Sequence, residues 1–150
     1  TYLSEGAFQK KFGRDMQSKV LSWGFDADFQ VESYLRHQGS SFVDRFDANS
    51  YLYITRAMDY FDLSSPYKGN LSLAFKKAEC KFLIVSFTSD WLFPSSESYE
   101  IVKALNKTTS DISYIEIESD KGHDSFLLEV NEFYEILSGF ISGVARKINI

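Results

Sequence analysis

Two short apolar segments, each followed by a polar turn, constrain the fold of this chain more than any other feature. The first is the run FLIV at residues 82–85, and the second covers residues 112–117 with alternating character. Apolar residues at helical spacing precede, separate and follow these segments, at residues 70–78, 95–107 and 131–148. An apolar run bounded by polar residues is typical of a buried parallel strand. The order helix, strand, helix, strand, helix therefore predicts an α/β fold with a parallel sheet.

Two side chains with possible chemical roles follow these predicted strands. Asp90 lies just beyond the first strand, and His123 lies just beyond the second, after Gly122. The carboxyl ends of parallel strands meet at one edge of the sheet, so we expect Asp90 and His123 to lie together there. An aspartate that accepts the Nδ1–H of a histidine orients that histidine as a general base. Two alternatives stay open: Asp90 as an ordinary cap of the following helix, and His123 as a loop residue without a role.

The chain contains no obvious nucleophile for this pair. The pattern G-x-S-x-G, which presents an attacking serine on a strand-to-helix turn, does not occur in the sequence. Cys80 is expected to be buried and inert, because no basic residue other than Lys76, Lys77 and Lys81 lies near it in sequence. His37, in a polar helical stretch, is expected at the surface. Asp124 has two interpretations, either binding a substrate ammonium group or capping the next short helix.

Residues 1–69 show helical spacing and no sustained apolar strand. The apolar positions that give this spacing are Phe8, Phe12, Val31, Tyr34, Leu35, Tyr51, Ile54, Met58 and Phe61. Asp47 is expected to cap the helix over residues 51–62. Gly13, Gly24 and Gly39 are expected to interrupt the region, which predicts three or four short helices. We place the boundary with the α/β part, residues 70–150, in the loop at residues 64–69.

Composition limits the class of protein. The chain has 150 residues, of which 44% are hydrophobic and 17% aromatic, enough for one globular core. Sixteen Lys and Arg against 21 Asp and Glu give a net charge of −5, so we expect no nucleic-acid partner. The single cysteine predicts no disulfide and no metal cluster, and favours a reducing, cytoplasmic location. No apolar run approaches a membrane span and no signal-peptide pattern is present, so no membrane partner is expected.

Eight segments of the sequence resemble the C-terminal part of the homoserine O-acyltransferases. These enzymes transfer acetyl or succinyl groups and belong to the α/β-hydrolase superfamily. The strings that carry the resemblance are residues 1–4, 11–14, 29–35, 45–53, 55–59, 86–94, 116–120 and 122–128. They are spread along the chain from residue 1 to residue 128, so the resemblance extends over nearly its whole length, and they are far more specific than an isolated pair of Asp and His. The chain starts at Thr1 rather than at a methionine, so we expect a processed or truncated product.

The resemblance implies a fold and a reaction. The implied fold is the C-terminal portion of an α/β-hydrolase, two parallel strands with flanking helices, preceded by a helical lid over residues 1–69 that forms a homodimer. In the implied reaction of methionine biosynthesis, a serine takes the acyl group from acetyl-CoA or succinyl-CoA and passes it to the hydroxyl of L-homoserine. Acyl-CoA is a co-substrate here, and no cofactor is expected. The choice between the two donors stays open.

The resemblance also assigns site residues. Asp90 and His123 fall on the positions of the family's catalytic aspartate and histidine, Asp124 on the carboxylate that holds the substrate amine, and Tyr2 on a substrate-binding tyrosine. The serine and the oxyanion-hole loop have no counterpart in the sequence, so the chain alone is expected to be inactive. Two alternatives remain: a hydrolase that uses water as the acceptor, and a non-catalytic fragment or interaction module. Two strands alone also predict a marginally stable, aggregation-prone fragment.

Overall fold

The computed structural model describes residues 2–20, 23–108 and 111–147. These residues fall into two compact units. The strand unit comprises Thr1–Ala7 and Leu63–Ile150, and the helical unit comprises Phe8–Asp62. Thr1 and residues 148–150 lie outside the described residues, so the predicted end of the last helix at residue 148 and the first residue of the string 1–4 fall there.

Six α-helices, two β-strands and two 3₁₀ turns make up the regular structure in the described ranges. In chain order they are α1 Glu5–Lys11, α2 Gln30–Arg45, α3 Ala48–Tyr60, a 3₁₀ turn Ser65–Tyr67, α4 Leu71–Ala74, β1 Phe82–Phe87, α5 Ser95–Leu105, β2 Ile112–Ile117, a 3₁₀ turn Gly122–Leu127, and α6 Asn131–Lys147. The predicted alternation of helices and strands in the second half of the chain is therefore confirmed.

The two strands form a parallel pair. Phe82 of β1 lies opposite Ile112 of β2, and the register continues to Phe87 opposite Ile117. Helix α5 connects them and packs against both strands through its apolar stripe. Ile117 is 1% exposed and Leu105 of α5 is fully buried, so the core of this unit lies between α5 and the sheet. Parallel pairing brings the carboxyl ends of β1 and β2 to the same edge.

A short aromatic cluster and one helix cap organise the helical unit. The rings of Phe12 and Tyr34 lie 4.8 Å apart, and the ring of Phe8 lies 5.0 Å from that of Phe12. The side chain of Asp47 accepts a 2.7 Å hydrogen bond from the backbone N–H of Ser50, which confirms the predicted cap of α3. This backbone hydrogen bond also lowers the pKa of Asp47.

Three expectations about local structure were wrong. Gly39 does not interrupt a helix but lies inside the 16-residue α2, because one glycine costs a helix only about 0.5–1 kcal/mol. The helix expected over residues 70–78 is shorter in the structure. Asn70 caps α4, and α4 ends at Ala74. Cys80 is exposed rather than buried, because it precedes β1 in a stretch without helix or strand.

One face of β1 faces an open apolar cavity. This cavity has a volume of about 550 Å³ and lies between β1 and α6, lined among others by Phe82, Val85, Phe140 and Ile141. Ile141 is 56% exposed on this side of α6. Among the described residues, no helix is long and apolar enough to cross a bilayer.

Candidate active site

Asp90 is held in a tight turn directly after β1. Its backbone N–H donates to the carbonyl of Phe87, the last residue of the strand, at 3.1 Å. Its Oδ1 accepts two backbone hydrogen bonds, from Leu92 at 3.0 Å and from Phe93 at 2.9 Å. The residue is 9% exposed. The turn therefore fixes one carboxylate oxygen and leaves Oδ2 to point toward the end of β2.

His123 meets that second oxygen. Its Nδ1 lies 2.9 Å from Oδ2 of Asp90. An ionised carboxylate only accepts hydrogen bonds, so the proton of the imidazole must be on Nδ1 and the lone pair of the neutral ring on Nε2. This is the tautomer in which Nε2 can accept a proton from a reacting group. The structure thus brings together the two residues that the sequence placed at the ends of neighbouring strands.

The pKa of Asp90 lies below its ordinary value. Burial of the carboxylate raises this pKa, but the hydrogen bonds from the Phe93 amide, the His123 ring and the Leu92 amide lower it and outweigh the burial. Asp90 therefore stays ionised at neutral pH and keeps a negative charge against the imidazole. A fixed negative charge at this place stabilises the imidazolium that forms when Nε2 takes up a proton.

Gly122 allows the loop of His123 to approach the beginning of the chain. Gly122 has a φ of +73°, and a Cβ atom there would lie 2.6 Å from the backbone nitrogen of Ser4 and overlap the carbonyl oxygen of Tyr2. That carbonyl accepts the backbone N–H of His123 at 2.8 Å. The hydroxyl of Ser4 donates to the carbonyl of Asp120. Residues 2–4 therefore hold the histidine loop through the Tyr2 carbonyl and the Ser4 hydroxyl, in a close approach that only glycine at position 122 permits.

Two serines, Ser125 and Ser119, form hydrogen bonds within the same loop. The side chain of Ser125 is fully buried. Its hydroxyl donates to the carbonyl of Gly122 at 2.7 Å, and it lies 2.8 Å from the hydroxyl of Ser119. The Ser119 hydroxyl also accepts the backbone N–H of Lys121 at 3.2 Å. These hydrogen bonds join the 3₁₀ turn that carries His123 to Ser119, two residues after β2.

Aromatic rings surround the imidazole. The ring centroids of Phe93, Tyr2 and Phe126 lie 5.1, 5.3 and 5.7 Å from that of His123. A cavity of about 330 Å³ opens beside Asp90 and His123, and Phe93 and Phe126 are among its lining residues. In the turn after β1, Phe93 is the aromatic residue that faces the imidazole, whereas Trp91 is 61% exposed. Sequence reasoning missed Phe126, although its position three residues after His123 in a short helical turn was a usable indication.

Asp124 and Tyr2 both lie next to His123. Asp124 is half-buried within the 3₁₀ turn, whose N-terminal cap is Lys121, so the alternative role of Asp124 as a helix cap does not apply. Its carboxylate makes no hydrogen bond or ion pair with any residue in the described ranges. Tyr2 is 55% exposed, with its ring beside the imidazole. His37 is exposed on α2, as expected. The described residues contain no group of three or more His, Cys, Asp or Glu placed to hold a metal ion.

Comparisons with known proteins identify the relatives of the chain. No protein-family model matches it. It is 60% identical over 151 residues to a homoserine O-acetyltransferase of Rhodospirillum rubrum, covering 100% of this chain and 39% of that protein. It is 65% identical over 148 residues to a homoserine O-acetyltransferase of Pelagibacter ubique, covering 98% of this chain and 40% of that protein. The homoserine O-acetyltransferase of Mesorhizobium japonicum is 58% identical over 147 residues, which are 97% of this chain and 38% of that protein.

These identities are far above the level at which similarity arises by chance, but the chain spans only about two fifths of the length of these relatives. Along its whole length, the chain is thus a homologue of the homoserine O-acetyltransferases, and the match is consistent with the C-terminal part of that family.

Proposed function

We propose that this chain provides the histidine and aspartate of a homoserine O-acyltransferase active site, with His123 as the general base and Asp90 as the group that orients it. The observation that carries this proposal is the 2.9 Å contact between Nδ1 of His123 and Oδ2 of Asp90 at the carboxyl ends of two parallel strands. The identity of 58–65% to proteins named homoserine O-acetyltransferase supports it.

The proposed reaction has two acyl transfers. A serine from sequence outside this chain attacks the thioester carbonyl of an acyl-CoA, and Nε2 of His123 takes the serine proton. The CoA thiolate leaves with that proton, and an acyl-serine ester remains. The hydroxyl of L-homoserine then attacks this ester while Nε2 takes its proton and returns it to the serine. Asp90 stabilises the imidazolium in both steps through its negative charge.

The proposed acceptor site uses Asp124 and Tyr2. The carboxylate of Asp124 is half-buried and makes no hydrogen bond or ion pair within the described residues, so it is available to bind an ammonium group. The ring of Tyr2 lies 5.3 Å from that of His123, where it flanks the reacting end of an acceptor. L-Homoserine carries an ammonium group and a hydroxyl, which suits these two contacts. The names of the relatives favour acetyl-CoA over succinyl-CoA as the donor.

We extend the proposal to the architecture of the complete protein. The strand unit would be the end of an α/β-hydrolase sheet, and the helical unit would be a lid that also forms a homodimer interface. In support, α3 and the residue after it expose Tyr53, Tyr60 and Phe61, which are 79%, 75% and 73% exposed. Aromatic residues are enriched in protein interfaces. Homoserine acylation would place the protein in methionine biosynthesis in the cytoplasm.

Thiol release by a full-length protein that carries this chain tests the proposal. We expect release of CoA from acetyl-CoA to depend on added L-homoserine. Equal release with and without homoserine would instead identify a hydrolase that uses water. No release from either acetyl-CoA or succinyl-CoA, with homoserine present, would contradict the proposed activity.

A second candidate function applies to the 150-residue chain by itself. Because its sequence has no G-x-S-x-G pattern to supply a nucleophile, the isolated chain would act as a non-catalytic module. Purified chain whose intact mass is 17.2 kDa is then expected to release no thiol. Homoserine-dependent turnover by material of that single mass would contradict this second function.

A further inference from the structure

Three consecutive residues after β1 contact the loop after β2. Oγ1 of Thr88 accepts the backbone N–H of Ser119 at 3.1 Å and donates to the Ser119 carbonyl at 3.3 Å. The hydroxyl of Ser89 accepts the backbone N–H of Gly122 at 2.9 Å. Asp90 then meets His123. Ser89 directly precedes Asp90 and Gly122 directly precedes His123, so a hydrogen bond also joins the two residues before the pair.

The Gly122 N–H depends on this serine. Gly122 is buried, and its Cα faces the backbone of residues 2–4 so closely that a Cβ would overlap it. A buried N–H that loses its partner is costly, so the loop would move to satisfy it. Because Gly122 is bonded directly to His123, a shift of this amide changes where the imidazole stands relative to Asp90.

We propose that Ser89 is a positioning residue for His123, acting through the Gly122 amide. The backbone of residues 2–4 holds the histidine loop on one side, through the 2.8 Å hydrogen bond from His123 N–H to the Tyr2 carbonyl. Ser89 holds the adjacent amide of the same loop, that of Gly122, at 2.9 Å, and the two hydrogen bonds together fix the position of the imidazole relative to Oδ2 of Asp90. This inference rests on the proposed role of His123 and extends it to a residue that does not touch the reacting atoms.

The same contacts predict that loss of the Ser89 hydroxyl affects the site more than the fold. Thr88 independently joins the two loops at the strand ends through its two hydrogen bonds to Ser119. Ser125 independently stabilises the turn through the Gly122 carbonyl. The strand unit therefore keeps its connections when Ser89 is replaced, while the N–H of Gly122 alone loses its partner.

The test compares Ser89→Ala with Ser96→Ala in a full-length protein that carries this chain. Ser96 is an exposed serine in the first turn of α5 and serves as the matched control. We expect Ser89→Ala to lower kcat about tenfold, the equivalent of one hydrogen bond, with KM for L-homoserine and acetyl-CoA unchanged. Ser89→Thr, which keeps the hydroxyl, should recover most of kcat, and Ser96→Ala should match the unsubstituted protein. If Ser89→Ala does not fold, Ser89→Cys takes its place, because a thiol is a weak acceptor of similar size.

A proton NMR measurement gives a readout that does not need turnover. The Nδ1–H proton of a histidine bound to a carboxylate resonates far downfield, and its loss in His123→Ala assigns it. We expect this resonance to shift or to broaden by exchange in Ser89→Ala and to stay in place in Ser96→Ala. Unchanged kcat and an unchanged resonance in Ser89→Ala would overturn the inference, as would a lower unfolding midpoint without either change. Turnover that survives in His123→Ala would instead overturn the proposed function itself.

Discussion

Nδ1 of His123 lies 2.9 Å from Oδ2 of Asp90, although the two residues are 33 positions apart in sequence. Opposite residues of β1 and β2 are separated by 112 − 82 = 30 positions. The loop after β2 therefore contains three more residues than the loop after β1 before it reaches the site. Those extra residues form the turn around Gly122 that docks on residues 2–4, so the parallel sheet and this docking together define the contact.

Replacing Asp90 by asparagine tests the orientation of the imidazole. In Asp90→Asn, the amide oxygen can still accept the backbone N–H groups of Leu92 and Phe93, but the side chain presents an NH₂ donor to Nδ1. The proton of the ring then moves to Nε2, which can no longer act as a base, so we expect kcat of the full-length protein to fall about 10⁴-fold. Steady-state kinetics measures this, and a kcat within about tenfold of the unsubstituted protein would contradict the assigned role.

Replacing Gly122 by alanine tests the docking of the histidine loop. Alanine would be strained at a φ of +73° and would also overlap the backbone of residues 2–4. Gly69 is the matched control, because its φ is +81° but nothing lies within 4 Å of an added Cβ. We expect Gly69→Ala to lower the free energy of unfolding by about 1–3 kcal/mol through backbone strain alone, and Gly122→Ala to lower it by clearly more. Urea unfolding of a full-length protein that carries this chain measures both, and equal effects would mean that the close approach is absent.

The lowered pKa of Asp90 predicts how stability depends on pH. A carboxyl group with a folded-state pKa below its unfolded value stabilises the folded protein above the unfolded pKa, near 3.9 for aspartate. This contribution is lost as the pH falls from there through the lower folded-state pKa. The difference in unfolding free energy between the unsubstituted protein and Asp90→Asn should therefore shrink as the pH falls below about 4.

Comparing these two proteins isolates Asp90. Asp47 and Asp111 also have lowered pKa values, from the Ser50 backbone and from Lys81 respectively. Both groups are present in either protein, so their contributions cancel in the difference. If urea unfolding gives the same difference in unfolding free energy from about pH 5 to about pH 2.5, the hydrogen bonds to the Asp90 carboxylate do not stabilise the folded protein.

The apolar cavity beside β1 predicts the behaviour of the isolated chain. A two-stranded sheet with an open apolar face is at best marginally stable, and such faces promote association. We expect the 150-residue chain to self-associate and to unfold without a sharp transition. Ile141→Lys, at the edge of the cavity, should reduce association measured by analytical ultracentrifugation, whereas Ile101→Lys on α5 should not. A cooperative melt of a monomer would contradict this prediction.

The sequence predicted the parts of the fold that depend on local pattern. The strand at residues 112–117 and the Asp47 cap follow from alternation and from helix-start residues, which act within a few positions. The meeting of Asp90 and His123 followed from one topological rule, that parallel strands end at the same edge. The functional roles of these two residues remain predictions.

Contacts between residues that are far apart in sequence could not be predicted from local sequence patterns. The hydrogen bond from Ser4 to Asp120 joins residues 116 positions apart, and nothing near either residue indicates the other. The role of Gly122 depends on that docking, and the role of Ser89 depends on its hydrogen bond with the Gly122 amide, so neither was predicted in detail. Cys80 was misplaced for a related reason, since its exposure depends on where β1 begins and not on its own apolar character.

The most direct test of the central claim is the turnover of His123→Ala beside His37→Ala in a full-length protein that carries this chain. The chain has two histidines, and His37 is exposed on α2 of the helical unit, so it controls for the loss of an imidazole away from the site. We predict that His123→Ala loses about 10⁴-fold or more in kcat for homoserine-dependent release of CoA, and that His37→Ala retains normal turnover. Near-normal turnover in His123→Ala would contradict the claim that this histidine is the general base.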